Sequence, residues 1–298
     1  MKTHVATAYA EHRIDIQGDG FYVYEWGARS AEVPTVVLAH ATGFHGRCWL
    51  QAVACMPQSW HVVAIDSRGH GQSSEAGAVT WQQFSDDQLA LLQAMDLQGV
   101  IGVGHSMGGH CMAHSCARQP DLFSALLLID PVILAPSETV AAAARVASLD
   151  DHPVARRKAE FASWQAMAER FAGRDPYDIW QVEVFEDYCR YGVLPTADGV
   201  RLACPPRFEA AVYMGSGQPD IVPLLQAVQQ PVHVLRGRRT EQFEGMMDFK
   251  NSPTWPELAG AFARGADFYL PDLTHFIPMQ QPQLVYEHVQ QLLSVLDV

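Results

Sequence analysis

Four compact apolar runs, residues 35–39 (TVVLA), 62–65 (VVAI), 100–103 (VIGV) and 124–129 (SALLLI), are separated by stretches long enough to hold a helix. A strand with one wet face alternates apolar and polar residues. A run that is apolar at nearly every position is buried on both faces, as in a parallel sheet. Parallel neighbours cannot be joined by a tight turn; they need a crossover of a dozen or more residues, usually a helix. Two helical stretches fit this need: 81–95, with Thr80 as N-cap, and 107–118, after a glycine-rich turn. The alternation therefore predicts an α/β fold with a mostly parallel, doubly wound sheet. Upstream, 12–17 and 21–26 are short β-like runs about Gly18-Asp19-Gly20, a hairpin signal. Downstream, 231–235 (PVHVL) and 267–270 (DFYL) resume the rhythm, and 282–296 reads as a closing helix.

Between 136 and 215 the rhythm stops. Residues 140–146, 155–171 and 180–191 read as helices, and Ala197-Asp198-Gly199 reads as a turn between 193–194 and 200–202. The prediction is one α/β core, residues 1–135 and 216–298, interrupted by a mainly helical insertion at 136–215. Insertions at sheet ends often shape a pocket. At 48% hydrophobic and 18% charged residues, the chain can bury a core and is not a disordered polymer. Its net charge of −13 repels phosphate, which argues against general nucleic-acid or anionic-membrane binding. The start, MKTHVATAYAEHRIDIQ, lacks an apolar core of signal-peptide length. The longest dense apolar stretch, 125–129, is far short of a membrane span, so no membrane insertion is expected. Six scattered cysteines without a CxxC pair imply free thiols in a reducing cytoplasm.

The chemistry concentrates at Gly104-His105-Ser106-Met107-Gly108, a G-x-S-x-G pattern followed by Gly109. It lies between an apolar run and a helical stretch. A serine at the tip of a tight strand-to-helix turn exposes its hydroxyl. The residues two positions to either side must be small, or strand and helix collide. The N–H of Met107 then sits at a helix start, suited to stabilising an oxyanion.

On these residues the chain resembles the α/β-hydrolase superfamily, in its cap-containing, esterase- and lipase-like branch with a serine nucleophile, over essentially its whole length. His40-Ala41-Thr42-Gly43-Phe44 is similar to the family's His-Gly oxyanion motif, with alanine in place of the usual glycine. By position Thr42 supplies the second oxyanion N–H, with Gly43 and Phe44 as the neighbouring alternatives. Residues 66–73 (DSRGHGQS) resemble a segment that is mainly structural in the family, so Arg68 and His70 are read as loop scaffolding. The resemblance implies an α/β-hydrolase fold and identifies the inserted helices with the family's cap.

A serine hydroxyl needs a general base, and the base needs an acid to orient it. Among 13 histidines, His275 is the best placed, after the last apolar run and before the final helix, where the family carries its catalytic histidine. The family usually places the acid a few residues beyond a glycine after the strand at 231–235. Here Thr240 stands there. Two carboxylates are candidates. Asp130, 24 residues after Ser106, follows the run 124–129, and some α/β hydrolases carry the acid at that strand end. Glu241 is the alternative. His110 and His114 have the i, i+4 spacing of a metal pair, but no third ligand lies nearby, so no metal is expected.

Phe44, His105, Trp164 and Tyr213 are the candidate pocket residues; Trp164 and Tyr213 lie in the inserted segment, which is rich in aromatics and Met. His45 and His70 are candidates for the site mouth. Arg236, Arg238 and Arg239 lie near a strand end, where a solvated loop explains them as well as an anionic substrate does. The expected function is hydrolysis of a small-molecule carboxylic ester, lactone or thioester through an acyl-enzyme, with no cofactor. Carbon–carbon bond hydrolysis of a diketone uses similar machinery and is an alternative. So is a non-catalytic ligand-binding protein on the same fold.

Overall fold

The computed structural model describes residues 8–136, 138, 148–217, 220–240 and 248–296. The chain opens with a hairpin, β1 (Ala10–Ile16) and β2 (Asp19–Trp26). Its two turn residues, Gln17 and Gly18, both have positive φ (56° and 95°), as a twisted two-residue hairpin turn requires. The turn thus precedes the Gly18-Asp19-Gly20 position read from sequence, and Asp19 and Gly20 already belong to β2. Next come β3 (Val36–Ala39), a short helix α1 (Leu50–Val53), β4 (Val62–Ile65) and α2 (Trp81–Ala94). Thr80 caps α2 by accepting a hydrogen bond from the Gln83 N–H at 3.2 Å. Then follow β5 (Val100–His105), α3 (Met107–Arg118) and β6 (Phe123–Ile129).

Residues 148–217 hold β7 (Glu160–Phe161), α4 (Trp164–Phe171), α5 (Val182–Tyr191), β8 (Val193–Thr196), β9 (Gly199–Leu202) and α6 (Pro206–Met214). The helix expected over 155–171 is instead a 3-10 turn (Pro153–Arg156), the strand β7 and the shorter α4, which Ser163 caps through the Ala166 N–H. β7 pairs with β9 outside the core sheet, a long-range contact that local periodicity does not encode. The helix expected over 140–146 lies outside the described residues. The chain closes with β10 (Val232–Gly237), β11 (Gly265–Leu270), α7 (Ile277–Gln280) and α8 (Gln283–Val295).

The main sheet has eight strands in the order β1-β2-β4-β3-β5-β6-β10-β11. Its first two pairings are antiparallel and the rest parallel. Successive side chains of a strand point to opposite faces, and the two cores show it. Val37, Ala39, Val63, Ile65, Leu126, Leu128, Val232 and Val234 pack on one face with α2 and α3. Val36, Leu38, Val62, Ala64, Ile101, Val103, Leu127 and Ile129 pack on the other with α1 and α8. This two-faced burial is why the central strands carry no polar alternation.

β3 lies between β4 and β5, so the winding reverses there. A crevice opens at the carboxyl ends of strands at such a switch point. The 40–44 loop leaves β3, Ser106 leaves β5 and Asp130 leaves β6, all at that edge. The elbow itself depends on bare backbone. A Cβ on Gly104 would lie 2.4 Å from the Gly108 carbonyl oxygen, and one on Gly108 would lie 2.3 Å from the Ala39 carbonyl oxygen. Gly104→Ala is therefore expected to destabilise the fold by about 3 kcal/mol, since backbone cannot move aside as a side-chain tip can. Urea unfolding will show a lower midpoint with an unchanged slope; an unchanged midpoint would refute the packing argument.

Candidate active site

Ser106 occupies the turn between β5 and α3 with φ 57° and ψ −118°. Its N–H donates to the Ile129 carbonyl at 3.1 Å, and its own carbonyl accepts from His110 and Val132 N–H groups. The strained residue is thus held from both sides. Its Oγ lies 3.0 Å from His275 Nε2, and His275 Nδ1 lies 2.7 Å from Asp130 Oδ2. A carboxylate can only accept, so Nδ1–H donates to it and Nε2 is left to accept the serine proton. Asp130, itself at φ 44°, is fully buried. Its second oxygen accepts from the Gly237 N–H at 2.7 Å and the Ser252 hydroxyl at 2.6 Å. Three groups from three chain segments, Ser106, Gly237 and Ser252, therefore meet on one carboxylate and its imidazole. Of the two candidate acids, Asp130 reaches His275; Glu241 lies outside the described residues. Thr240, where the family's usual acid stands, donates its N–H to Asn251 Oδ1 at 2.8 Å.

The 40–44 loop stands beside Ser106 and is held by two neutral histidines. His40 donates Nδ1–H to the Ala41 carbonyl at 2.7 Å and accepts the Ser67 N–H at 3.0 Å. His70 donates Nδ1–H to the Arg68 carbonyl at 2.8 Å and accepts the Gly43 N–H at 3.0 Å. Burial pushes both imidazoles down, His70 to about 4, because desolvation disfavours the charged ring. The Gly43 N–H is thus engaged, and the Phe44 N–H donates to the Ala41 carbonyl. Among the described residues the Thr42 N–H has no partner. Met107 opens α3, where a helix leaves its N–H groups unpaired. Arg68 is tied to Asp87 and Asp19, in keeping with a scaffolding role.

A cavity of about 340 Å³ opens over Ser106 and His275. Phe44 and Tyr213 line it. Trp164 does not; it packs, half-buried, against an apolar cluster that joins the 148–217 segment to Ala41, Phe44, Cys48, Phe276 and Met279. His105 does not either. It sits fully buried behind the loop and donates Nε2–H to the His275 carbonyl at 2.9 Å, steadying that residue's backbone. Burial pushes its pKa down to about 3. His45 and His70 also stay off the cavity wall, His45 hydrogen-bonding the Tyr188 carbonyl. Arg236 pairs with Asp267, Arg238 bonds the Lys250 carbonyl and Arg239 pairs with Glu138; none lines the cavity. His110 and His114 hydrogen-bond the Val132 carbonyl and Ser85. Among the described residues no group of three or more His, Cys, Asp or Glu could hold a metal ion.

Several lining residues escaped sequence reading. Phe249 stacks near His275, with ring centres 6.2 Å apart. Arg157 and Glu209 form a buried ion pair in the cavity wall. Arg157 stands in a basic run that reads as a solvated face. Glu209, a lone acid among apolar residues of α6, was the available signal.

Residues 36–288 match the model of the alpha/beta hydrolase family. The chain belongs to that family and is a hydrolase. It is 31% identical to a bifunctional esterase/perhydrolase of Acinetobacter calcoaceticus over 106 residues, 35% of this chain and 38% of that protein. It is 24% identical to a 2-(acetamidomethylene)succinate hydrolase of Mesorhizobium japonicum over 275 residues, 91% of this chain and 93% of that protein. A crystal structure of E-2-(acetamidomethylene)succinate hydrolase superposes with a TM-score of 0.78 at 20% identity, covering 96% of this chain and 100% of that one. No helix among the described residues is long and apolar enough to cross a membrane.

The neutral histidines set an acid limit. His45, His70, His105 and His110 are pushed down to between about 3 and about 4 by burial, against about 6.5 in an unfolded chain. The unfolded state therefore binds more protons below pH ~6.5. Stability is full above that value and falls as the pH drops toward 4, by up to about 1.4 kcal/mol per pH unit for each histidine. Urea midpoints measured from pH 7.5 to 4.5 will fall along this window, and His70→Asn will reduce the slope. A flat profile would contradict the buried neutral state.

Proposed function

We propose that this hydrolase cleaves a carboxylic ester, lactone or thioester through an acyl-enzyme on Ser106. The observation that carries the reading is the hydrogen-bonded line Ser106–His275–Asp130, at 3.0 and 2.7 Å, opening onto an aromatic-rich cavity. In the proposed reaction His275 Nε2 takes the serine proton as Oγ attacks the carbonyl carbon, then passes it to the leaving group. Asp130 holds the imidazole tautomer and stabilises the imidazolium. Its own fixed geometry, with Gly237 and Ser252 on the second oxygen, supports that role. The N–H groups of Met107 and Thr42 receive the oxyanion, each such donor supplying about 3 kcal/mol in comparable sites. Water admitted from the cavity then hydrolyses the acyl-enzyme, with His275 as base again.

The segment 136–215 acts in this reading as a cap that closes the cavity. The six unpaired cysteines support a reducing cytoplasm as its setting. Because the relative matched along nearly the whole chain is named a 2-(acetamidomethylene)succinate hydrolase, that compound is the first substrate to assay beside simple esters.

The test needs no knowledge of the substrate. Intact mass after exposure to a small organophosphate is expected to show one adduct on the wild type and none on Ser106→Ala. An unlabelled, folded wild type would sink the mechanism and favour a ligand-binding protein. Asp130→Asn is expected to lower kcat on an activated ester by on the order of 10³–10⁴-fold, because the imidazole loses its orienting acceptor. Glu241→Gln is expected to leave kcat unchanged. A reversed ranking would reassign the acid.

A further inference from the structure

The Arg157–Glu209 pair takes no part in the proton transfers, yet it borders the reacting centre. Arg157 Nη1 lies 2.8 and 2.7 Å from the two carboxylate oxygens of Glu209. Glu209 is 4% exposed and stands on α6. Its carboxylate packs directly on the loop beside Ser106: a Cβ on Gly43 would lie 2.6 Å from Glu209 Oε1. Gly43 has φ +80° and its N–H is already held by His70. The preceding residue on the helix, Phe208, presses on Gly69 and meets the His70 ring edge-on at 6.1 Å. One helix thus packs on both loops beside the site, on the 40–44 loop with an acid and on the 66–73 loop with a ring.

An anion at this place opposes the reaction. The Thr42 N–H, next to Gly43, has to receive negative charge as the carbonyl is attacked, and a carboxylate close by raises the energy of that charge. We propose that Arg157 is a positioning residue that acts through Glu209. It offsets the charge of the carboxylate that packs against Gly43, so that the oxyanion can form. This proposal rests on the serine-hydrolase reading above. Tyr177, Tyr188 and Tyr213 also face the pair, and burial raises their hydroxyl pKa values, which keeps them neutral. Arg157 is therefore the charge that offsets Glu209 there.

The two partners then have opposite effects, which a merely structural ion pair would not. At an effective dielectric near 20, one unpaired unit charge a residue away from the oxyanion changes the rate by roughly 10- to 30-fold. The experiment compares wild type, Arg157→Met, Arg157→Lys, Glu209→Gln and the double variant Arg157→Met/Glu209→Gln. It measures kcat and KM on an activated ester, the rate of organophosphate labelling at Ser106, and thermal midpoints. Arg157→Met is expected to lose at least tenfold in kcat and in labelling rate with little change in KM. Arg157→Lys keeps most of both, Glu209→Gln stays at or above wild type, and the double variant recovers to within about threefold.

Equal losses in Arg157→Met and Glu209→Gln would overturn the proposal, as would an Arg157→Met enzyme as fast as wild type. Should Arg157→Met fail to fold, the other single variants decide. Glu209→Gln at wild-type rate with an active Arg157→Lys supports the proposal, and Glu209→Gln down tenfold overturns it. A wild type that no organophosphate labels is a different failure, that of the hydrolase reading, and it removes the basis of this one.

Discussion

The close backbone contact at the start of α3 is the constraint on which the rest depends. Gly108 lies so near Ala39 and His40 that no side chain fits between them, and Gly104 meets Gly108 in the same way. This contact draws the ends of β3 and β5 together beneath Ser106. It forces the serine into its left-handed conformation and projects the hydroxyl above the sheet edge. Because β6 lies next to β5 in parallel register, Asp130 emerges at the same level. The site follows from the winding of the sheet as much as from the residues that occupy it.

Above that edge, polar groups are fixed by burial more than by charge. His40, His70 and His105 each use a ring nitrogen to tie one loop to another, and desolvation keeps them neutral. A neutral imidazole is one donor and one acceptor at fixed spacing, which suits it to bridging N–H and C=O groups where a charged ring would bear an uncompensated cost. Asp130 has its oxygens filled by named donors from β10, Ser252 and His275. Arg157 and Glu209 in the cavity wall are paired, and the pair links the 148–217 segment to the loop at Gly43.

Much of this was legible in the chain. The apolar runs at 35–39, 62–65, 100–103 and 124–129 each became a strand with the predicted two-sided burial, because a strand inside a parallel sheet is apolar without reference to its neighbours. Helices 81–94 and 107–118 were equally local, carried by a capping threonine and a glycine turn. The insertion was read less well. Residues 155–171 have a helical composition, but residues 160–161 pair with β9, 40 residues further on, and that pairing prevails over local propensity. Trp164 and His105 are pocket candidates by sequence, yet Trp164 packs half-buried against an apolar cluster and His105 is buried behind the loop.

By itself the sequence determined the α/β class and the serine turn, and it pointed to Asp130 and His275 at strand ends downstream of Ser106, since each rests on short-range pattern: apolar runs, glycine spacing, residues at strand ends. The tertiary structure alone decided which carboxylate meets His275, which loop N–H groups are already engaged, and that Phe249, Arg157 and Glu209 stand at the cavity. Those outcomes depend on contacts between segments 26 to 145 residues apart, and such contacts leave no periodic trace in the chain. Hydrogen bonding is what selects among the candidates: a buried acceptor goes to the donor that reaches it, and only the folded geometry settles that reach.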